Sequence, residues 1–237
     1  MDAFNRVKLL VGEENLKKLQ NSTVAVFGIG GVGGFAAEAL VRSGVGSIVV
    51  IDGDEVEESN LNRQIIATVD SVGMDKVAVM KNRLLSINPN VKIKAIKTFY
   101  LPENAGEIDF SEFDYVIDAV DTVSAKVDII KRAKENEIPV ITCLGTGGKL
   151  DITKLRVSPV SQTKICPLAR VMRRELKAID ALEVKAVWSE EEPLKTHSTG
   201  ANDKKSDGRT APPSMIFVPA AAGLMLAREA VAFLMEK

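Results

Sequence analysis

Gly28, Gly30 and Gly33 fall at the spacing G-x-G-x-x-G inside Thr23-Val-Ala-Val-Phe-Gly-Ile-Gly-Gly-Val-Gly-Gly34, and Asp52 follows the next apolar run. Glycines at a strand-to-helix turn, Gly31 included, let backbone N–H groups at the helix N-terminus approach a phosphate closely. An acid at the end of the next strand can accept from ribose hydroxyls. Sites for NAD, FAD, S-adenosylmethionine and ATP all share this arrangement, so the turn alone selects a nucleotide and not a reaction. Arg63 in the loop Ser59-Asn60-Leu-Asn-Arg-Gln64, and Lys76 after Gly73, narrow the choice. Two cations converging on one phosphate chain neutralise charge that develops in a phosphoryl-type transition state. Hydride transfer has no use for them. Asp118-Ala-Val-Asp121-Thr122 follows another apolar run, where a carboxylate could hold Mg²⁺ opposite the phosphates. Asp121 would equally suit the N-cap of a helix beginning near Ser124.

These residues need elements to place them. Residues 5–20 read as a short amphipathic helix, Thr23–Phe27 and Ser47–Ile51 as compact apolar strands, and Val32–Arg42 and Met74–Ile87 as helices. Val91–Lys97 alternates as a strand, Tyr115–Ile117 is a short buried strand, Ser124–Asn136 a helix and Pro139–Leu144 a strand. Such alternation predicts an α/β fold, a doubly wound, Rossmann-like, mostly parallel sheet with ligands at the carboxyl ends of its strands. Beyond Gly148 the pattern changes. A strand over Ile152–Val157, a basic helix over Pro167–Lys177 and a strand over Leu182–Trp188 make a smaller C-terminal extension, and 189–213 reads as a long polar loop. We expect one domain over 1–237, with a nucleotide-binding core at 4–150 and a substrate and dimer extension at 151–237.

With 46% apolar and 27% charged residues and a net charge of −1, the chain reads as an ordinary globular protein with no general attraction for nucleic acid. RNA contact would have to come from a local patch, and Lys164, Arg170, Arg173, Arg174 and Lys177 supply one, with Lys204, Lys205 and Arg209 as additions. A solvated helix face is the plainer explanation of that cluster. Two cysteines, neither in a C-x-x-C pair, build neither a disulfide framework nor a four-cysteine zinc site. Cys143 sits in an apolar run and reads as core. Cys166 precedes the helix at Pro167, which leaves a sulfur relay open, and no role attaches to His197. No apolar signal region follows Met1, so a cytoplasmic setting is expected. Met215–Met235 is long enough to span a bilayer, but Arg228-Glu229 and its small residues mark it as a buried or interface helix, and no membrane association is expected.

Taken together, Gly-Ile-Gly-Gly-Val-Gly, Asp52-Gly-Asp54, Asn60-Leu-Asn-Arg63-Gln64, Lys76 and Asp121-Thr122 resemble the adenylating domain shared by ubiquitin-activating enzymes and the bacterial thiamin and molybdopterin activators. Phe4-Asn5-Arg6 is similar to that family's leading arginine motif. The resemblance implies ATP and Mg²⁺ as cofactors and adenylation of a carboxylate. Gly28, Gly30, Gly31, Gly33, Asp52, Asn60, Arg63 and Lys76 would bind ATP, and Asp121 the metal. Arg6, Arg63, Lys76 and Asp121 would be catalytic, with Arg6 reaching into the partner of a homodimer.

Within the second half, Gly147-Gly-Lys-Leu-Asp151, Cys166-Pro-Leu-Ala-Arg170 and Val187-Trp-Ser-Glu190 resemble the tRNA threonylcarbamoyladenosine dehydratase branch. That implies ATP-dependent cyclisation of the modified nucleoside in tRNA, by an intramolecular attack that needs only positioning. Two rivals stand beside it. One is an activator of a ubiquitin-like sulfur carrier, with a sulfur-transfer protein as partner; the absent zinc cysteines count against it. The other is an NAD-binding dehydrogenase or sensor.

Overall fold

A computed structural model describes residues 3–194 and 212–237. The runs Thr23–Phe27 and Ser47–Ile51 form strands β1 and β2. Each is buried on both faces, which is why neither shows alternation. Lys92–Ile96 (β3), Tyr115–Asp118 (β4), Val140–Cys143 (β5), Leu155–Pro159 (β6) and Lys185–Ser189 (β7) complete a sheet ordered β3-β2-β1-β4-β5-β7-β6. All neighbours are parallel except β6, which runs antiparallel to β7. The mostly parallel sheet expected from the sequence is the one found.

Strand order reverses between β1 and β4, the place where doubly wound sheets open a crevice. Register puts Phe27 beside Ile51 and Asp118, and Asp118 beside Thr142. The residues immediately after these pairs, from Gly28 to Cys143, therefore emerge side by side at the carboxyl edge.

Helices cover both faces. Gly33–Arg42 (α3), Lys76–Ile87 (α4) and Phe217–Glu236 (α7) pack over Val24, Val26, Ile48, Val50 and Ile117. The alternate residues Ala25, Phe27, Val49, Ile51 and Val116 face Val123–Glu135 (α5) and the segment from Tyr100 to Phe113. That segment holds only short 3₁₀ turns, and it fills its face with aromatics: Phe27 meets Tyr100 edge-on at 5.0 Å and stacks on Phe110 at 5.6 Å. Lacking periodicity, it gave no sequence signal. Pro167–Ala178 (α6) covers Leu144, Ala186 and Trp188.

Two expectations need correction. Residues 5–20 are not one helix but two, Asn5–Val11 (α1) and Glu13–Gln20 (α2), because Gly12 takes φ +84 between them. The strand expected over 152–157 begins as a 3₁₀ turn at Ile152–Lys154, where Asp151 accepts from the Thr153 N–H, and extends only from Leu155. By length and composition α7 could cross a membrane. Its buried stripe, from Val218 through Ala222, Leu226 and Ala230 to Leu234, is instead core. Gly223 is required there, since a Cβ would lie 2.3 Å from the Val32 carbonyl oxygen.

Candidate active site

The glycine turn is built by contact. Gly28 takes φ +85, and a Cβ on it would lie 2.7 Å from the Ala119 carbonyl oxygen; one on Gly33 would meet the Gly28 oxygen at 1.8 Å. These two glycines let β1, β4 and α3 converge. Gly31 packs near Arg63 and Pro219, whereas among the described residues a Cβ on Gly30 would find only the Gln64 amide nitrogen within 4 Å. Among the described residues the Cβ side of Gly30, at the turn into α3, is therefore uncrowded.

Asp52 accepts from the Ile29 N–H at 2.6 Å and from the Asp54 N–H at 2.8 Å, which ties the glycine turn to the end of β2. Burial raises its pKa, against the opposing pull of the Lys76 charge and the two N–H donors. Lys76, itself buried, pairs with Asp54 at 2.7 Å. Asn60 is turned into its own loop: its Oδ1 accepts from the Glu57 N–H at 3.2 Å and its Nδ2 donates to Ser59 Oγ. That bonding shapes the turn on which Arg63 stands. The Arg63 Nη1 donates to the Ser59 carbonyl at 2.6 Å and to Asn62 Oδ1 at 2.9 Å. Burial lowers the guanidinium pKa, with the Glu57 charge opposing.

Asp121 is exposed at the carboxyl edge. It is not the N-cap, a position that falls to Thr122 as α5 begins at Val123. Beneath it lies a network that sequence reasoning missed. Asp118, fully buried, accepts from Lys126 Nζ at 3.0 Å, from Thr142 Oγ1 at 2.6 Å and from the Val120 N–H at 3.2 Å. Lys126 also donates to the Cys143 carbonyl at 2.7 Å. These bonds fix the loop carrying Asp121 to β5. A signal did exist: Lys126 stands on the apolar stripe of α5 with Ile129, Ile130 and Ala133.

A strap from the C-terminal half closes the other side. Gly148, at φ +71, donates its N–H to the Pro213 carbonyl and accepts from the Leu194 N–H at 2.7 Å, while Asn62 Nδ2 reaches the Ser214 carbonyl at 2.8 Å. Residues 212–214 thus join the Arg63 loop to the loop after β5. His197, Lys204, Lys205, Arg209 and most of the polar loop 189–213 lie outside the described residues.

Arg6 does not join the others within one chain. Phe4 packs near Gly44, before β2, and α2 meets Gly46, so the first two helices sit at the amino ends of the strands. Five residues of β1, about 16 Å at strand rise, separate that end from the glycine turn.

The ThiF family profile matches residues 4–237. The chain belongs to the ThiF family. Among its relatives, tRNA threonylcarbamoyladenosine dehydratase of Bacillus subtilis (strain 168) is 39% identical over 240 residues, 98% of this chain and 94% of that one. The crystal structure of E. coli tRNA N6-threonylcarbamoyladenosine dehydratase, TcdA, in complex with AMP superposes with a TM-score of 0.89 at 34% identity, covering 99% of this chain and 94% of that one. A Thermus thermophilus sulfur carrier protein adenylyltransferase is 39% identical, but only over 51% of this chain and 45% of its own length.

In this ThiF family chain the basic cluster on α6 is smaller than its sequence suggests. Arg173 turns inward to the Thr163 carbonyl and hydroxyl, both at 2.7 Å, and Arg174 pairs with Glu175 at 2.6 Å. Arg174 nonetheless keeps an exposed side chain, as do Lys164, Arg170 and Lys177. Cys143 and Cys166 are both buried; burial pushes the Cys143 thiol up to about 12 and, at Lys149 beside them, pushes the ammonium down.

Proposed function

We propose that this chain uses ATP to adenylate the threonyl carboxylate of N6-threonylcarbamoyladenosine in tRNA and then lets the carbamoyl group close onto the activated carbonyl. In the first step a carboxylate oxygen attacks the α-phosphorus and pyrophosphate leaves. In the second the ring closes and AMP leaves, so the nucleoside loses the elements of water. The observation that carries this reading is length of likeness. Resemblance to a named dehydratase runs over 98% of the chain, substrate half included, while resemblance to the sulfur-carrier enzyme stops at 51%. Burial of both cysteines also counts against a sulfur relay.

In this reading the Gly28–Gly33 turn cradles phosphates, and the Asp52 lone pairs left by Ile29 and Asp54 take a ribose hydroxyl. Arg63 and Lys76 neutralise charge on the phosphates, using N–H donors beyond those engaged with Ser59, Asn62 and Asp54. Asn60 acts by shaping their loop. Among the described residues no three His, Cys, Asp or Glu side chains gather to hold an ion. One carboxylate completed by nucleotide phosphates is, however, how Mg²⁺ is commonly held, and Asp121 fits that part. The ion would supply charge neutralisation on the leaving pyrophosphate.

Arg6, stranded at the far edge of its own sheet, serves the partner's site in a homodimer. Lys164, Arg170 and Lys177 contact the tRNA backbone, and the enzyme works in the cytoplasm, where that substrate is. The test incubates the protein with ATP, Mg²⁺ and tRNA bearing the threonylcarbamoyl nucleoside, then digests the tRNA for mass spectrometry. An ATP-dependent product lighter by one water is expected. Pyrophosphate release with no change in the nucleoside would overturn the substrate.

A further inference from the structure

Strand β6 is the outermost strand of the sheet, and a groove of about 440 Å³ follows it on the face covered by α6. Leu155 and Val157 pack toward α7, so the alternate residues Arg156 and Ser158 turn to this face. Buried Trp188 of β7 underlies them, its indole N–H donating to Ser158 Oγ at 2.9 Å. Arg156 is spent on Glu190, at 2.8 Å, and on the Thr153 and Leu155 carbonyls. Gln162 and Lys164 line the groove from the segment that leads into α6. Both are exposed, and neither side chain has a partner among the described residues. The backbone that carries them is nevertheless fixed. Ile165 takes φ +61, a conformation costly for a β-branched residue, and the Cys166 N–H bonds back to the Lys164 carbonyl at 2.6 Å. Arg173 grips Thr163 from α6.

Residues 152–178 carry seven lysines or arginines and one carboxylate, Glu175, in a chain whose net charge is −1. This end of the molecule therefore attracts a polyanion, although the chain as a whole does not. Position names the polyanion. β6 lies three strand spacings from β4, about 14 Å across the sheet, and Leu155 pairs with Ser189 at the carboxyl end of β7. One end of the groove thus reaches the edge that carries Asp121, a distance that a few nucleotides span. Gln162 offers both a donor and an acceptor, and so does a ribose 2′-hydroxyl, which a deoxyribose backbone lacks. We propose that this groove holds a nucleotide flanking the reacting one, with Lys164 on its phosphate and Gln162 on its ribose 2′-hydroxyl, so that it docks RNA and discriminates against DNA. This rests on the tRNA reading above.

Fluorescence anisotropy with the full chain tests this, using an RNA hairpin that carries the threonylcarbamoyl nucleoside in its loop. A second probe is the same hairpin with the other loop sugars as deoxyribose. Lys164→Gln should weaken the RNA hairpin several-fold and lower the slope of log affinity against log salt by about one. Lys81→Gln, the same loss of charge on α4 across the sheet, should do neither. Gln162→Ala should bind the RNA hairpin about three- to tenfold more weakly, the loss expected for one or two neutral hydrogen bonds, and the deoxy hairpin nearly as wild type does. Melting temperature and ATP affinity should be unchanged in all three, because each residue is exposed and stands apart from the glycine turn. Equal effects of Lys164→Gln and Lys81→Gln overturn the proposal, and so does an equal loss on both hairpins in Gln162→Ala. Loss of self-association in Lys164→Gln, with RNA affinity unchanged, also overturns it and assigns the groove to a second copy. A wild-type protein that binds neither hairpin and leaves the nucleoside unchanged refutes the tRNA reading instead.

Discussion

At the residue scale, the site separates groups that face a ligand from groups that build the loops. Asn60 is bonded into its own turn, whereas Lys76, held by Asp54, and Arg63, with only Nη1 engaged among the described residues and half-buried on that turn, keep further N–H donors for a ligand. Arg63→Ala is therefore expected to reduce ATP–pyrophosphate exchange about 10²- to 10³-fold, the usual cost of removing a transition-state donor, with melting temperature little changed. Arg63→Lys should recover little, because an ammonium cannot reproduce the fork that holds Ser59 and Asn62. Full exchange activity in the lysine variant would mean that charge alone matters. For Asp121→Asn we expect nucleotide binding without Mg²⁺ to be unchanged and the Mg²⁺ concentration for half-maximal exchange to rise. An unaltered Mg²⁺ titration would remove the metal role.

Elements are held by the buried network under that loop. Lys126 and Asp118 have no exposed side-chain surface, and breaking such a pair leaves a charge uncompensated. Lys126→Met should lower unfolding free energy in urea by about 3–5 kcal/mol, and adding Asp118→Asn should restore part of the loss. Simple additivity of the two losses would show that the pair is not coupled. Nearby, Cys143 ionises near 9 when unfolded and near 12 when buried. Its folded value is raised, so its contribution is complete below about pH 9 and is lost as pH climbs toward 12, because the unfolded chain releases the proton first. Cys143→Ala should flatten the alkaline limb of the stability curve in that window. An unchanged limb would assign it to the tyrosines, whose phenols are also raised by burial.

For the whole molecule, the decisive matter is where Arg6 lies. A residue at the amino edge of the sheet cannot serve a turn at the carboxyl edge of the same chain. Mixing Arg6→Ala with Arg63→Ala, each inactive alone, should restore roughly a quarter of wild-type turnover. One site per mixed dimer then escapes both substitutions. No recovery after subunit exchange would place Arg6 outside the chemistry. The tRNA surface is tested by Arg170→Glu with Lys177→Glu, which should weaken tRNA binding and flatten its salt dependence while leaving ATP binding intact.

The sequence by itself determined the motifs and the strands that carry them. The runs at Thr23–Phe27 and Ser47–Ile51, the glycine spacing and the order of Asp52, Arg63, Lys76 and Asp121 are local patterns, written in neighbouring residues. Tertiary structure decided what depends on distance along the chain. The Asp118–Lys126–Thr142 network, the strap from Pro213 to Asn62 and the inward turn of Arg173 each join segments whose pairing no local period announces. The same holds for Gln64. Its type was legible in the loop, but only packing could show that its oxygen is buried with nothing to bond among the described residues.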